Sequence, residues 1–225
     1  MAFQLNRYFP HPAYPVLKPF RQNGLLKLYI GIFIFFWIFT GATATDFVNW
    51  VLENSLTLPA VFLLCFFYRK LPLSNSTYTL ILLFVLLHLY GSQNAYAKNP
   101  FGYWLMETFH TSRNHYDRIV HFSFGFLLAY PMREAFLKVF NFPKWVAWLL
   151  PIEIVLSVSG FYELIEWAVA ELFFPAQGVS YLGTQGDVWD AQKDIFLAFT
   201  GAILATTIVS VLKKVLHIQE KQAVK

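Results

Sequence analysis

The chain has 225 residues, of which 57% are apolar, 20% aromatic and 13% charged, with 17 basic against 13 acidic side chains. Soluble domains average about 25% charged residues, so this composition excludes a disordered, collagen-like or nucleic-acid-coating protein and points away from a soluble enzyme. At about 20 residues per crossing the chain has room for five to seven membrane spans, and the expected class is an all-α polytopic membrane bundle.

Taken in order, residues 1–27 are rich in proline and base and lack the early apolar region of a signal peptide, so the first apolar run reads as an uncleaved anchor. That run extends from Leu28 to about Phe47. A second lies between Trp50 and Tyr68 and stops at Arg69-Lys70-Leu71-Pro72. A third covers Tyr78 to about Tyr96, with His88 and Gln93 inside it. A fourth follows Asn114, charged in its first turns and apolar from Phe122 to Tyr130. The fifth spans Trp145 to Val169 and the sixth Val188 to Leu212. Runs of this length with short connections satisfy their backbone groups in lipid only as helices. The expectation is a six-helix transmembrane domain over 28–212, between a segment 1–27 and a basic tail 213–225. The single cysteine, Cys65, sits in an apolar run with no partner for an internal disulfide.

With the N-terminus inside, thirteen of the basic residues fall on the inner side and four (Lys98, Arg113, Arg118, Lys193) on the outer, which obeys the positive-inside rule and predicts an N-in, C-in bundle. The acidic residues fall the opposite way, ten of them towards the outer face. Insertion does not explain that bias, because acids contribute little to topology. It asks for a functional reason.

Three segments carry it. In Arg113-Asn114-His115-Tyr116-Asp117-Arg118-Ile119-Val120-His121, Asp117 and His121 are four apart and share a helical face. In Phe161-Tyr162-Glu163-Leu164-Ile165-Glu166-Trp167, Glu163 and Glu166 are three apart. Asp187, Asp190 and Asp194 form a stripe at spacings of three and four. On the six-span topology all three stripes end at one membrane face. A carboxylate at the bilayer centre costs about 2.5–3.5 kcal/mol, so these side chains are expected to face inward and be protonated, paired with Arg118 and Lys193, or bound to metal. Carboxylates with imidazole and no thiol suit a hard or borderline divalent metal ion, with Asp117, His121, Glu163, Glu166, Asp187, Asp190 and Asp194 as the candidate ligands. Carboxylates in different surroundings also serve acid/base catalysis, for which His121, Glu163, Glu166 and Asp190 are the candidates. Arg113, Arg118 and Lys193 are candidates for binding a phosphate or lipid head group.

Simpler readings stand beside these. Asp187 and Asp190 fit the capping of a helix start. Glu163 and Glu166 fit a structural ion-pair network with Arg113 and Arg118. His88 fits an interhelical hydrogen bonder, and Gly183-Thr184-Gln185-Gly186 lacks the lysine of a phosphate-binding loop. Three functions follow: metal-assisted or acid/base chemistry on a lipid-linked head group at the outer leaflet, proton-coupled transport through Glu163 and Glu166, or a non-catalytic bundle locked by its polar cluster. The expected partner is membrane lipid and not nucleic acid.

The same three segments, extended to Leu182 and joined by Pro100–Trp104, resemble the bacterial inner-membrane family typified by YjdF. The resemblance implies a polytopic inner-membrane protein and names no reaction. A fainter similarity is to the VanZ-like membrane proteins linked to glycopeptide resistance. It is carried by Asp117 through Phe122, Glu163, and Asp194 with Gly201, with Ala198 at a position where that pattern has asparagine.

Overall fold

Apolar runs with few helix breakers become helices, and a computed structural model of the chain is all-α, describing residues 20–68, 73–173 and 182–223. Among these the α-helices are α1 (Gly24–Ala42), α2 (Phe47–Glu53), α3 (Thr57–Phe67), α4 (Asn75–Ser92), α5 (Pro100–Phe109), α6 (Tyr116–Lys138), α7 (Val146–Ala168) and α8 (Asp190–Ala223). Most of the predicted N-terminal segment and the Arg69–Pro72 stop lie outside the described residues.

Among the described residues, four helices are long and apolar enough to cross a membrane: α1, α4, α7 continued to Leu172, and α8 as far as Val215. The second predicted span is instead two helices, α2 and α3, bent by 42°, which together make a fifth candidate. The break has a local cause. Asn54 turns its amide back onto the Trp50 carbonyl (2.9 Å) and across to Ser92 Oγ (2.9 Å), and Pro59 in the first turn of α3 would clash with a helical carbonyl four residues earlier. The fourth predicted span, α6, does not qualify by composition. Its 23 residues extend about 34 Å, but Asp117, Arg118, Arg133, Glu134 and Lys138 make it too charged. It compensates by position, packing against α4, α7 and, most extensively, α8.

The contact between α6 and α8 is made by small residues. A Cβ on Gly125 would collide with the Ala198 carbonyl, and one on Gly201 with that of Phe122. Ala129, Ala198, Ala202 and Ala205 continue the seam and pack with Ile152 and Val155 of α7 as the central core. Small residues at this spacing let helix backbones approach closely where lipid supplies no hydrophobic drive. The two helices run in parallel, and α7 returns antiparallel beside them. The end where α6 and α8 start and α7 finishes is termed the upper end.

At the lower end Glu134 of α6 caps α4. Its Oε2 accepts from the Ser74 amide (2.9 Å), Ser74 Oγ (3.0 Å) and the Thr77 hydroxyl, while Oε1 pairs with Lys138 Nζ (2.6 Å). A carboxylate at a helix N-terminus is favoured by the unpaired amides and the helix dipole. The sequence reading did not anticipate α5, a ten-residue helix with Pro100 at its first position and an Asn99 cap. It exposes Phe101, Tyr103, Trp104 and Phe109, an aromatic surface suited to a membrane–water boundary.

Gly125→Ala and Gly201→Ala should each lower the thermal unfolding midpoint in detergent, by the equivalent of about 1–3 kcal/mol of overpacking. Gly31→Ala, which meets nothing within 4 Å, should leave it unchanged.

Candidate functional site

The upper end is built by two loops laid against each other. The segment before α6 presents Asn114, fully buried, whose amide donates to Gln185 Oε1 (2.9 Å) while Gln185 Nε2 donates back to the Asn114 carbonyl (3.0 Å). Asn114 Nδ2 reaches the Asn99 carbonyl (2.9 Å) and its Oδ1 accepts from the Tyr116 amide (3.1 Å). One asparagine thus joins the starts of α5 and α6 to the loop before α8. That loop curls through left-handed residues at Gly183, Gln185 and Gly186, which leaves the Thr184 carbonyl to accept from Arg113 Nη1 (2.6 Å).

Around this frame the ionisable groups separate into a compensated rim and an uncompensated interior. In the rim, Arg113 Nη2 lies 2.6 Å from Asp190 Oδ1, both side chains buried. Arg118 Nη2 lies 2.5 Å from Asp187 Oδ2 and 3.4 Å from Asp190 Oδ1. Lys193 Nζ reaches both oxygens of Asp187 at 2.9 and 2.7 Å. Asp187 also accepts from the Trp189 amide (3.1 Å), so it combines capping and ion pairing. Lys193, the Trp189 amide and Arg118 hold the Asp187 carboxyl well below its ordinary range. Because that folded value is depressed, the stability it contributes is present above the usual carboxylate pKa and lost only as pH falls well below it.

The interior lies one turn deeper. His121 Nε2 is 3.5 Å from Asp117 Oδ1 and 3.5 Å from Glu163 Oε1. Asp117, His121 and Asp194 each offer a ligand atom within 4.8 Å of the others. Glu163 Oε1 and Asp194 Oδ1 are buried without a hydrogen-bond partner, a state that costs at least about 1–3 kcal/mol per group. These carboxylates, with Glu166, Asp187 and Asp190, line a half-open cavity of about 310 Å³, whose wall also includes Trp167 and Thr184. All seven acidic and imidazole candidates from the sequence therefore meet at one end of the bundle. Asp187 and Asp190 turn their oxygens to the cations. Asp117, His121, Glu163 and Asp194 turn towards one another.

Sequence reasoning missed Glu53 and Tyr162. Glu53, the last residue of α2 and 4% exposed, accepts from Tyr162 Oη (2.8 Å), and the Tyr162 ring meets His121 edge-on at 6.2 Å. Glu53 stands within the second apolar run with no ionisable neighbour at helical spacing, so no pattern singled it out. Asn114 and Gln185 gave no signal because amides in loops are common. His88 bridges Thr57 Oγ1 (3.0 Å) and Tyr96 Oη (2.5 Å), and Gln93 Nε2 ties α4 to Thr43 (2.6 Å). Both serve as interhelical links.

Residues 25–215 match the family described as "Predicted membrane protein (DUF2238)", and the chain belongs to that family. It is 39% identical over 175 residues, 76% of this chain and 81% of the relative, to "Inner membrane protein YjdF" of Escherichia coli (strain K12). The chain is accordingly a multi-pass inner-membrane protein. No solved structure matches it at a significant level.

Asp190→Asn leaves the Arg113 charge buried and half-paired, so it should destabilise the fold by about 3–5 kcal/mol. Asp187→Asn, at the more open part of the rim, should lower the unfolding midpoint far less. Parallel thermal melts of the two variants in one detergent check the order.

Proposed function

We propose that this protein is a metal-dependent enzyme of the outer membrane face, acting on a phosphate-bearing head group of a lipid. The observation that carries the reading is the spacing at His121. Two gaps of 3.5 Å to carboxylate oxygens exceed the roughly 2.7–3.2 Å of an N–H···O hydrogen bond. They are close to the ~3.0–3.4 Å that separates two ligands each about 2.1 Å from a shared divalent ion. The unpartnered oxygens of Glu163 and Asp194 supply the acceptors such an ion would occupy. Asp117, His121 and Asp194 are then the ligands and Glu163 the fourth. A divalent ion held there would supply a water of lowered pKa, and Glu166, on the wall of the same cavity, would be the acid/base group beside it. Asp190 acts by fixing Arg113, and Asp187 by fixing Arg118.

Lys193, whose side chain is half exposed, and Arg118 both hold Asp187, which lines the cavity, and are the groups a phosphate would meet. Arg113, buried against Asp190 and the Thr184 carbonyl, positions the loop before α8. The topology that accompanies this reading has six crossings, N-in and C-in, with α6 as the crossing that only its neighbours shield from lipid. It is supported by the basic-residue bias of the loops and by the length of α6. Proton-coupled transport would need carboxylates continuing down the bundle, and the next one on α7, Glu153, is exposed on the outside.

Elemental analysis of protein purified without chelator tests the proposal. About one divalent ion per chain is expected, lost in His121→Ala and in Asp194→Asn and retained in Asp187→Asn. Metal at background in the wild type, or content unaffected by Asp117→Asn with Asp194→Asn, would overturn it.

A further inference from the structure

A second cavity, of about 630 Å³, runs beside α6 between α3, α4 and α7. Its size falls within the range of small-molecule sites, but its lining is drawn out along α6 into a channel half open at its side. On α6 it touches Asp117, Val120, Phe124, Leu128, Met132 and Ala135, one helical stripe over 19 residues that rises about 27 Å. The polar groups gather at the upper end, where Glu53, Asp117, His121 and Glu166 line it. With Thr57, His88, Tyr96 and Tyr162 these make up the polar part of the wall; the rest is hydrocarbon down to Leu73, apart from Ser159, whose buried hydroxyl has no partner. Asp117 and Glu166 also line the 310 Å³ cavity, so the two spaces meet at the candidate metal ligands.

We infer that this channel holds the hydrocarbon chain of the substrate, and that the substrate is a lipid phosphate with a single chain longer than one leaflet, of the polyisoprenoid class. The inference rests on the head-group reading above for its phosphate end and on the channel alone for its chain. Continuity with the carboxylate–imidazole cluster fixes which end of the ligand faces up. Length fixes the class: the hydrocarbon core is about 30 Å thick, so a chain confined to one leaflet fills about half of the channel, whereas a polyisoprenoid fills it. The walls match such an occupant, with Phe84 and Phe124 in contact (5.5 Å between ring centroids) on one side and Ala60 of α3 across from them.

The test measures binding of three probes to the full chain in nanodiscs: a long polyprenyl phosphate, farnesyl phosphate and dipalmitoyl phosphatidic acid. The long polyprenyl phosphate is expected to bind at least tenfold more tightly than either of the others. Leu128→Trp and Met132→Trp, which fill the lower part of the channel, should each remove that advantage while leaving farnesyl phosphate affinity and metal content unchanged. Equal affinity for long and short chains, equal binding of phosphatidic acid, or full long-chain binding by both tryptophan variants would overturn the inference. Should either variant fail to fold, the wild-type chain-length comparison decides alone. Chain-length dependence without bound metal would sink the head-group reading and leave the channel standing. Bound metal without chain-length dependence would do the reverse.

Discussion

The close approach of α6 to α8 sets the geometry on which everything at the upper end depends. Gly125 and Gly201 stand where a single methyl group would strike the opposing backbone. One turn above that contact lie His121 on α6 and Asp194 on α8, so the helix separation fixed by two missing side chains also fixes how near their ligand atoms come. In a bilayer such a seam must hold by van der Waals contact and shape. Its neighbour α7 completes the arrangement, because Val155 and Ile152 pack on the same alanines and carry Glu163 and Glu166 upward to the level of His121. The most polar long helix is thus also the most enclosed one, which is how a sequence with five charged residues on α6 resides among apolar neighbours.

Much of this was legible in the sequence, for identifiable reasons. Helical spacing put Asp117 with His121 and Glu163 with Glu166, and helix geometry leaves no freedom in those pairings. The alternation of helix direction brought the three stripes to one end. The partition of the carboxylates was hidden, because Asp187, Asp190 and Asp194 form a continuous stripe in sequence yet divide in space. Two turn to Arg113, Arg118 and Lys193, and the third turns inward. Which carboxylate meets which guanidinium depends on the loop registered by Asn114 and Gln185, and amide-to-backbone bonds leave no periodic trace. Hydropathy reads residues 50–68 as one span and so misses the α2–α3 break, and the burial of Glu53 at the end of α2 leaves no trace in the pattern. The composition of α6 obscured its place at the centre, since a hydropathy pattern reads a helix alone and not the neighbours that shield it.

The division between rim and interior is itself informative. Three cations and two carboxylates at the rim leave it close to neutral, and ion pairs of this kind cost desolvation that good geometry largely offsets. The interior has no such balance: Asp117, Glu163, Glu166, Asp194 and Glu53 crowd around one imidazole. A bundle selected for stability alone would place apolar side chains at these positions, because replacing buried ionic groups by well-packed hydrophobes is often neutral or stabilising. Five carboxylates at the junction of a polar cavity and an apolar channel are tolerated only when neutralised, by protons or by a cation. On the proposed reading a divalent ion at His121 would meet that need with the fewest groups, since it would take up Glu163 and Asp194, whose Oε1 and Oδ1 have no hydrogen-bond partner. It also leaves Glu166, which lines both spaces, facing the point where a head group entering from above and a chain lying below would join.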